Sequence, residues 1–124
     1  MIFGLGIDVI EVDRIRKQIL NGQRFKEKIF TLKEMEYCEK KRNKSQNYAA
    51  RFAAKEAFLK ALGTGQRDGL IFRDIEIINS QSGKPGVVLY GKTKQEVEKK
   101  GIANIHVSIS HIKDIACSIV ILEK

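Results

Sequence analysis

The sequence predicts an α+β fold, with helices in the first half packed on a largely antiparallel sheet. Two observations carry this. Helical spacing of apolar residues dominates before Gly63-Thr64-Gly65 and strand alternation dominates after it. The connections between the predicted elements are of ordinary length, and no repeat, low-complexity tract or linker divides the chain. At 124 residues the sequence fits a single domain spanning 1–124, long enough to bury a real core.

The first segment, Ile2 to Asp8, alternates. Phe3, Leu5 and Ile7 share one side and Gly4, Gly6 and Asp8 the other, so one face of this strand is bare enough for another backbone or a ligand to come close. A helix should follow, with Ile10, Arg14 and Lys17 on one face and Val12, Ile15 and Ile19 on another, ended by Asn21-Gly22. Phe25 to Lys41 reads as short helices, with Thr31 and Glu34 at capping-box spacing, and Lys40 to Lys44 as a basic loop. The longest helix runs from about Ser45 to Leu62 and stops at Gly63-Thr64-Gly65. Strands over Ile71–Asn79 and Val87–Tyr90 flank a loop dense in turn residues, Ser80 to Gly86. A short amphipathic helix, Lys92 to Lys100, is closed by Gly101. Strands Asn104–Ser110 and Ile115–Leu122 then join through Ile112-Lys113-Asp114.

Composition narrows the class. The hydrophobic and charged shares, 43% and 31%, are those of a soluble globular chain, and no apolar run reaches the ~18 residues of a membrane span. The opening MIFGLGIDVI has no basic stretch and carries Asp8, unlike a signal peptide. Cys38 and Cys117 stand alone, with neither zinc-site nor disulfide spacing, so a reducing cytoplasm is the default location. The net charge of +8 calls for an anionic partner without choosing among nucleic acid, an acidic protein, phosphorylated small molecules and anionic lipid.

Three segments place polar groups where packing alone would not. Asp8 ends an apolar strand on its glycine face. Its spacing to Glu11 also suits a capping box, and both a helix cap and a confined ligand fit it. Glu56 shares a helical face with Phe52 and Leu59, where a carboxylate is desolvated unless a cation pairs with it. Lys60, one turn on, offers such a cation or a contact for a phosphate. Gly63-Thr64-Gly65 could turn backbone N–H groups toward an anion, but it follows a helix and lacks the signature of a P-loop. Finally, His106, Ser108 and Ser110 share one strand face, opposite Val107, Ile109 and His111. Both serines lie inside a strand with no nucleophile elbow, which argues against a Ser–His hydrolase. The two histidines face apart and cannot share a metal. What remains is hard oxygen ligands and cations. Asp8 and Glu56 suit Mg²⁺, while Arg51, Lys60, Lys84 and His106 would neutralise further phosphate charge, a set that describes phosphoryl-group chemistry.

The motifs GLGIDVIEVDRI (Gly4 to Ile15), RFAAKEAFLKALGTG (Arg51 to Gly65) and HVSISH (His106 to His111), in this order and spacing, resemble the small bacterial holo-[acyl-carrier-protein] synthases, a family of 4′-phosphopantetheinyl transferases. The resemblance covers nearly the whole chain. It implies transfer of the phosphopantetheine arm of coenzyme A to a serine of acyl carrier protein in fatty acid biosynthesis, leaving adenosine 3′,5′-bisphosphate. It implies that Asp8 and Glu56 bind Mg²⁺ and that Glu56, alone or through a metal-bound water, takes the serine proton. Lys60 matches a lysine that contacts the phosphates and protonates the leaving group. Arg51 and His106 match positions at the 3′-phosphate, and Gly63, Thr64, Gly65, Lys84 and Pro85 fall where the nucleotide end is expected. Arg14, Arg24 and Phe25 lie where the family grips its acidic carrier, and members are typically homotrimers with sites between neighbours.

The alternative is a basic nucleic-acid-binding module without catalysis. Against it stand the 7% aromatic share, the absence of tryptophan and the scatter of basic residues over several helices; neither nucleic acid nor membrane is an expected partner.

Overall fold

In the computed structural model, which describes residues 1–67 and 69–124, the chain opens with strand β1 (Ile2–Glu11) and four helices, α1 (Val12–Leu20), α2 (Gln23–Ile29), α3 (Leu32–Glu39) and α4 (Lys44–Leu62). A 3-10 turn (Phe72–Asp74), strands β2 (Ile75–Asn79) and β3 (Pro85–Leu89), helix α5 (Gly91–Lys99), and strands β4 (Asn104–His111) and β5 (Ile115–Glu123) follow. The α+β class holds. The strands form two antiparallel sheets, β1-β5-β4 and the hairpin β2-β3.

Helix α4 crosses the inner face of the larger sheet because both surfaces are stripped of bulk. Ala53, Ala54, Ala57 and Ala61 of α4 are buried, and Gly4 and Gly6 of β1 lie against them. A Cβ at Gly4 would collide with the Ala61 carbonyl oxygen, and one at Gly6 with that of Ala57. Two residues forward along β1 therefore match four residues back along α4. This stepping aims the next inner-face residue, Asp8, at the turn of α4 that carries Glu56. Phe58, Leu59, Tyr48, Phe30, Ile75, Ile77 and Leu122 fill the core around this contact. The opposite face of β1 is apolar and open: Leu5, Ile7 and Val9 are 61%, 59% and 61% exposed. No helix among the described residues is long and apolar enough to cross a membrane.

Several boundaries differ from the sequence reading. β1 continues to Glu11, which pairs with Ile115, so Ile10 is a buried strand residue and not part of a helix face. The cap reading of Asp8 falls with it: α1 starts at Val12, and its N-cap is Glu11, without a side-chain cap bond. The predicted strand from Ile71 begins only at Ile75, because Phe72–Asp74 turn as 3-10 helix. The Thr31–Glu34 capping box is present, with Glu34 Oε1 accepting from the Thr31 N–H at 2.9 Å.

The same Glu34 serves a buried ion pair that sequence reading did not single out. Lys55 Nζ donates to Glu34 Oε1 at 2.7 Å and to the carbonyl oxygens of Phe72 and Ile75, and Glu34 Oε2 accepts from the Ile77 N–H at 2.9 Å. Both side chains are fully buried, and the Lys55 ammonium is met by a carboxylate and two carbonyl oxygens, as an ion pair in a core requires. The network ties α3, α4 and β2 together one residue before Glu56.

Candidate active site

Asp8 is on the inner face of β1, where the strand has just released α4 from its glycine contact. Its carboxylate is 15% exposed, and its Oδ1 accepts from Lys60 Nζ at 3.0 Å. Lys60 donates also to the Ile7 carbonyl oxygen at 3.0 Å. The cation on α4 thus serves Asp8 in place of Glu56, its neighbour one turn away. A helical side chain leans toward the N-terminal end of its helix, and here that direction carries Lys60 toward the strand.

Glu56 is half-buried and, among the described residues, has no hydrogen-bond or ion-pair partner. Burial pushes its carboxyl above the usual range, the charge of Asp8 adds to this, and Lys60 and Arg14 oppose it. Asp8 and Glu56, the latter without a partner among the described residues, are the two carboxylates here that could hold a divalent cation. No third His, Cys, Asp or Glu joins them among the described residues. A pair of carboxylates with the remaining positions left to water and phosphate oxygens is the donor set that Mg²⁺ favours. The residues fit the ion.

A cleft of ≈ 330 Å³ opens beside this cluster, lined by Glu56, Leu59, Lys60, Gly63, Thr64, Gly65, Gln66 and Arg67. Gly63, at φ 85°, ends α4 in the left-handed region, and its N–H is spent on the Leu59 and Lys60 carbonyls. The N–H groups of Thr64 and Gly65 have no backbone acceptor among the described residues.

The other predicted residues lie elsewhere on the chain. Arg51 is buried, its guanidinium 4.0 Å over the Tyr37 ring and its Nη2 donating to Asn79 Oδ1 at 2.7 Å. Asn79 faces Pro85 across the β2-β3 ladder, with exposed Lys84 next to it. His106 is on the outer face of β4, the edge strand farthest from β1, with Nε2 3.1 Å from Glu123 Oε1. One chain therefore assembles Asp8, Glu56, Lys60 and the Gly63–Gly65 turn but leaves Arg51, Lys84, Pro85 and His106 apart from them. His111 pairs with Gln46 and stays away from His106, as alternation requires. Asn79 and Glu123 carry no motif, and only the fold reveals their partners.

Arg14 is exposed on α1, close enough for its charge to act on Glu56. Arg24 and Phe25 line a second hollow of ≈ 530 Å³ with Gln18, Asn21, Gly22 and Lys28, where α1 turns into α2. Phe25 is half-buried, stacked on Phe52 at 6.3 Å between ring centroids, so this hollow has an apolar floor and a basic rim.

The chain is similar to known proteins over nearly its whole length. Residues 4–120 match the family model of the 4′-phosphopantetheinyl transferase superfamily. The chain is 43% identical over its full length to the full length of a holo-[acyl-carrier-protein] synthase of Geobacter sp. (strain M21). Among solved structures it is similar to the holo-[acyl-carrier-protein] synthase of Neisseria meningitidis, with a TM-score of 0.93, 35% identity and complete coverage of both chains. It is similar also to that of Helicobacter pylori in complex with coenzyme A, with a TM-score of 0.84, 32% identity and coverage of 96% of this chain and 99% of that one.

Proposed function

The chain belongs to the holo-[acyl-carrier-protein] synthase family of the 4′-phosphopantetheinyl transferase superfamily, and from that premise we propose that Asp8, Glu56 and Lys60 form its catalytic centre. The activity is transfer of the 4′-phosphopantetheine arm of coenzyme A to a serine of acyl carrier protein, a step in fatty acid biosynthesis. A bond forms between the serine oxygen and the phosphorus bearing the pantetheine arm. The bond from that phosphorus to the rest of the diphosphate breaks, and adenosine 3′,5′-bisphosphate leaves.

The observation that carries the site is the convergence of an unpaired, half-buried Glu56 with Asp8 and Lys60 at the mouth of one cleft. Asp8 and Glu56 would hold Mg²⁺, which when bound supplies positive charge to the diphosphate and the departing phosphate. Glu56, which unlike Asp8 is not engaged by Lys60 or any other partner among the described residues, takes the serine proton. Lys60 is oriented by Asp8 and the Ile7 carbonyl and donates to the phosphate that leaves. The N–H groups of Thr64 and Gly65, which have no backbone acceptor among the described residues, serve the nucleotide end of coenzyme A together with Arg51, Lys84, Pro85 and His106.

Those last four residues reach the centre from a neighbouring copy. His106 stands on the outer sheet face, and the exposed stripe of Leu5, Ile7 and Val9 on that same face supports a homotrimer with its sites between subunits. Arg14, Arg24 and Phe25 supply a basic rim and an apolar anchor for the acidic carrier, a combination that steers association and fixes register. Two free cysteines, one of them buried, are in keeping with a cytoplasmic protein.

The direct experiment incubates the protein with apo acyl carrier protein, coenzyme A and Mg²⁺ and weighs the carrier intact. The expected result is a mass gain equal to the phosphopantetheine arm, abolished by a chelator and restored by excess Mg²⁺. An unmodified carrier would refute the activity, and modification indifferent to the chelator would refute the metal assignment.

A further inference from the structure

One side chain ties Arg51 to the turn that presents Lys84. Asn79 ends β2 opposite Pro85, half-buried, and uses both ends of its amide. Its Oδ1 accepts from Arg51 Nη2 at 2.7 Å, and its Nδ2 donates to the Gly83 carbonyl oxygen at 3.0 Å. The turn beyond it is wired internally: the Gly83 N–H donates to the Ser80 carbonyl at 2.8 Å and the Ser80 N–H to the Lys84 carbonyl at 2.9 Å. Through Asn79 this rigid turn is joined to helix α4.

The guanidinium is held tightly and at some cost. Arg51 is only 4% exposed, stacks on Tyr37, and leaves its Nε–H buried without a partner among the described residues. A buried donor left unpaired is unfavourable, so this pose is imposed by the groups that grip the guanidinium and does not maximise its own hydrogen bonding. A binding site that fixes its charges before the ligand arrives gains affinity by not having to order them afterwards.

We propose that Asn79 is a positioning residue for coenzyme A, locking Arg51 and the Lys84-Pro85 turn into one pre-formed edge for the nucleotide end. This rests on the reading that Arg51 and Lys84 serve that end. Asn79 touches no reacting atom in this scheme, so its removal acts on coenzyme A binding and leaves the chemical step and the carrier alone.

The test measures steady-state transfer by the full-length protein with coenzyme A and with its 3′-dephospho analogue. Asn79→Ala should raise the coenzyme A KM by roughly tenfold, the effect of losing one charge-assisted hydrogen bond, with kcat within about twofold and the carrier KM unchanged. The penalty should shrink with the dephospho analogue. Asn79→Asp keeps an acceptor for Arg51 but loses the donor to Gly83, and should recover part of the loss. The double variant Arg51→Ala/Asn79→Ala should lose less than the product of the two single effects, because only the hold on the turn is left for Asn79 to contribute. If Asn79→Ala leaves KM unchanged while Arg51→Ala raises it, the role of Asn79 is refuted and that of Arg51 stands. A loss of kcat equal for both substrates would reduce Asn79 to a general structural role. If neither Arg51→Ala nor Lys84→Ala alters the coenzyme A KM, the underlying reading falls and the proposal with it.

Discussion

Lys60 Nζ is 3.0 Å from Asp8 Oδ1 although the two residues are 52 positions apart in the chain. The glycine-faced strand makes this possible, because α4 can approach β1 closely enough for a lysine to span the gap. Lys60 is 54% exposed against 15% for Asp8, so the pair adds little to stability and its geometry points to function. Lys60→Met is expected to lower kcat by about 10²-fold, and Asp8→Asn by about 10³-fold, with both proteins folded by circular dichroism. Turnover is read from the mass of the carrier. Wild-type rates in either folded variant would remove that residue from the catalytic centre.

Glu56 presents the reverse balance. Burial and the neighbouring Asp8 charge both disfavour its ionised form, so in the metal-free protein this carboxylate works against the fold. Glu56→Gln keeps the shape and removes the charge. The variant should lose transfer, while its Tm in chelator rises by roughly 1–3 °C above wild type. Adding Mg²⁺ should then raise the wild-type Tm and leave the variant unmoved. A variant destabilised in chelator, or one still stabilised by Mg²⁺, would contradict the assigned environment.

Much of this was legible in the residues. The bare face of β1 was visible as Gly4 and Gly6, and the misplaced acid of α4 as Glu56 between Phe52 and Leu59, because alternation and helical spacing are local properties. Asp8 was ambiguous for the same reason. Spacing to Glu11 suits a cap, and only pairing of Glu11 with Ile115, a partner far along the chain, keeps the strand extended past Asp8. Long-range pairing also hid the Lys55–Glu34 ion pair and the clasp of Asn79 on Arg51, whose members belong to separate elements and carry no spacing rule. The polar stripe His106, Ser108, Ser110 was visible in alternation, but its distance from Asp8 within one chain follows only from the strand order.

Glu39 contributes to the acid limb of stability in the helical half. A hydrogen bond from the Tyr48 hydroxyl, with Lys26 and Lys44 beside it, holds its carboxyl down to about 2, against an ordinary value of 4.5. A depressed folded value means that the contribution to stability is complete above 4.5 and is lost as pH falls toward about 2. Melting curves should therefore fall across that window, and Glu39→Gln should flatten the fall. Exposure of the carboxylate, 39%, makes the effect modest and sensitive to salt. An acid limb identical in the two proteins would place the titration elsewhere.

The outer face of β1 carries the last consequence. Leu5, Ile7 and Val9 stand side by side with Ile119 and Ile121 of β5, an apolar sheet face too continuous for a surface left in water. The same face carries the outward-facing His106, which the proposed reading supplies to a neighbouring copy. Ile7 is 59% exposed within the single chain, so Ile7→Asp costs the isolated fold little, yet it would bury a charge in any interface built on this face. If the proposed homotrimer forms on this face, the wild type should sediment as a trimer and the variant as a folded monomer, with kcat/KM lowered by at least ~10²-fold through loss of the residues a neighbouring copy would supply. A wild type that is monomeric and fully active at assay concentration would show instead that one chain contains the whole site.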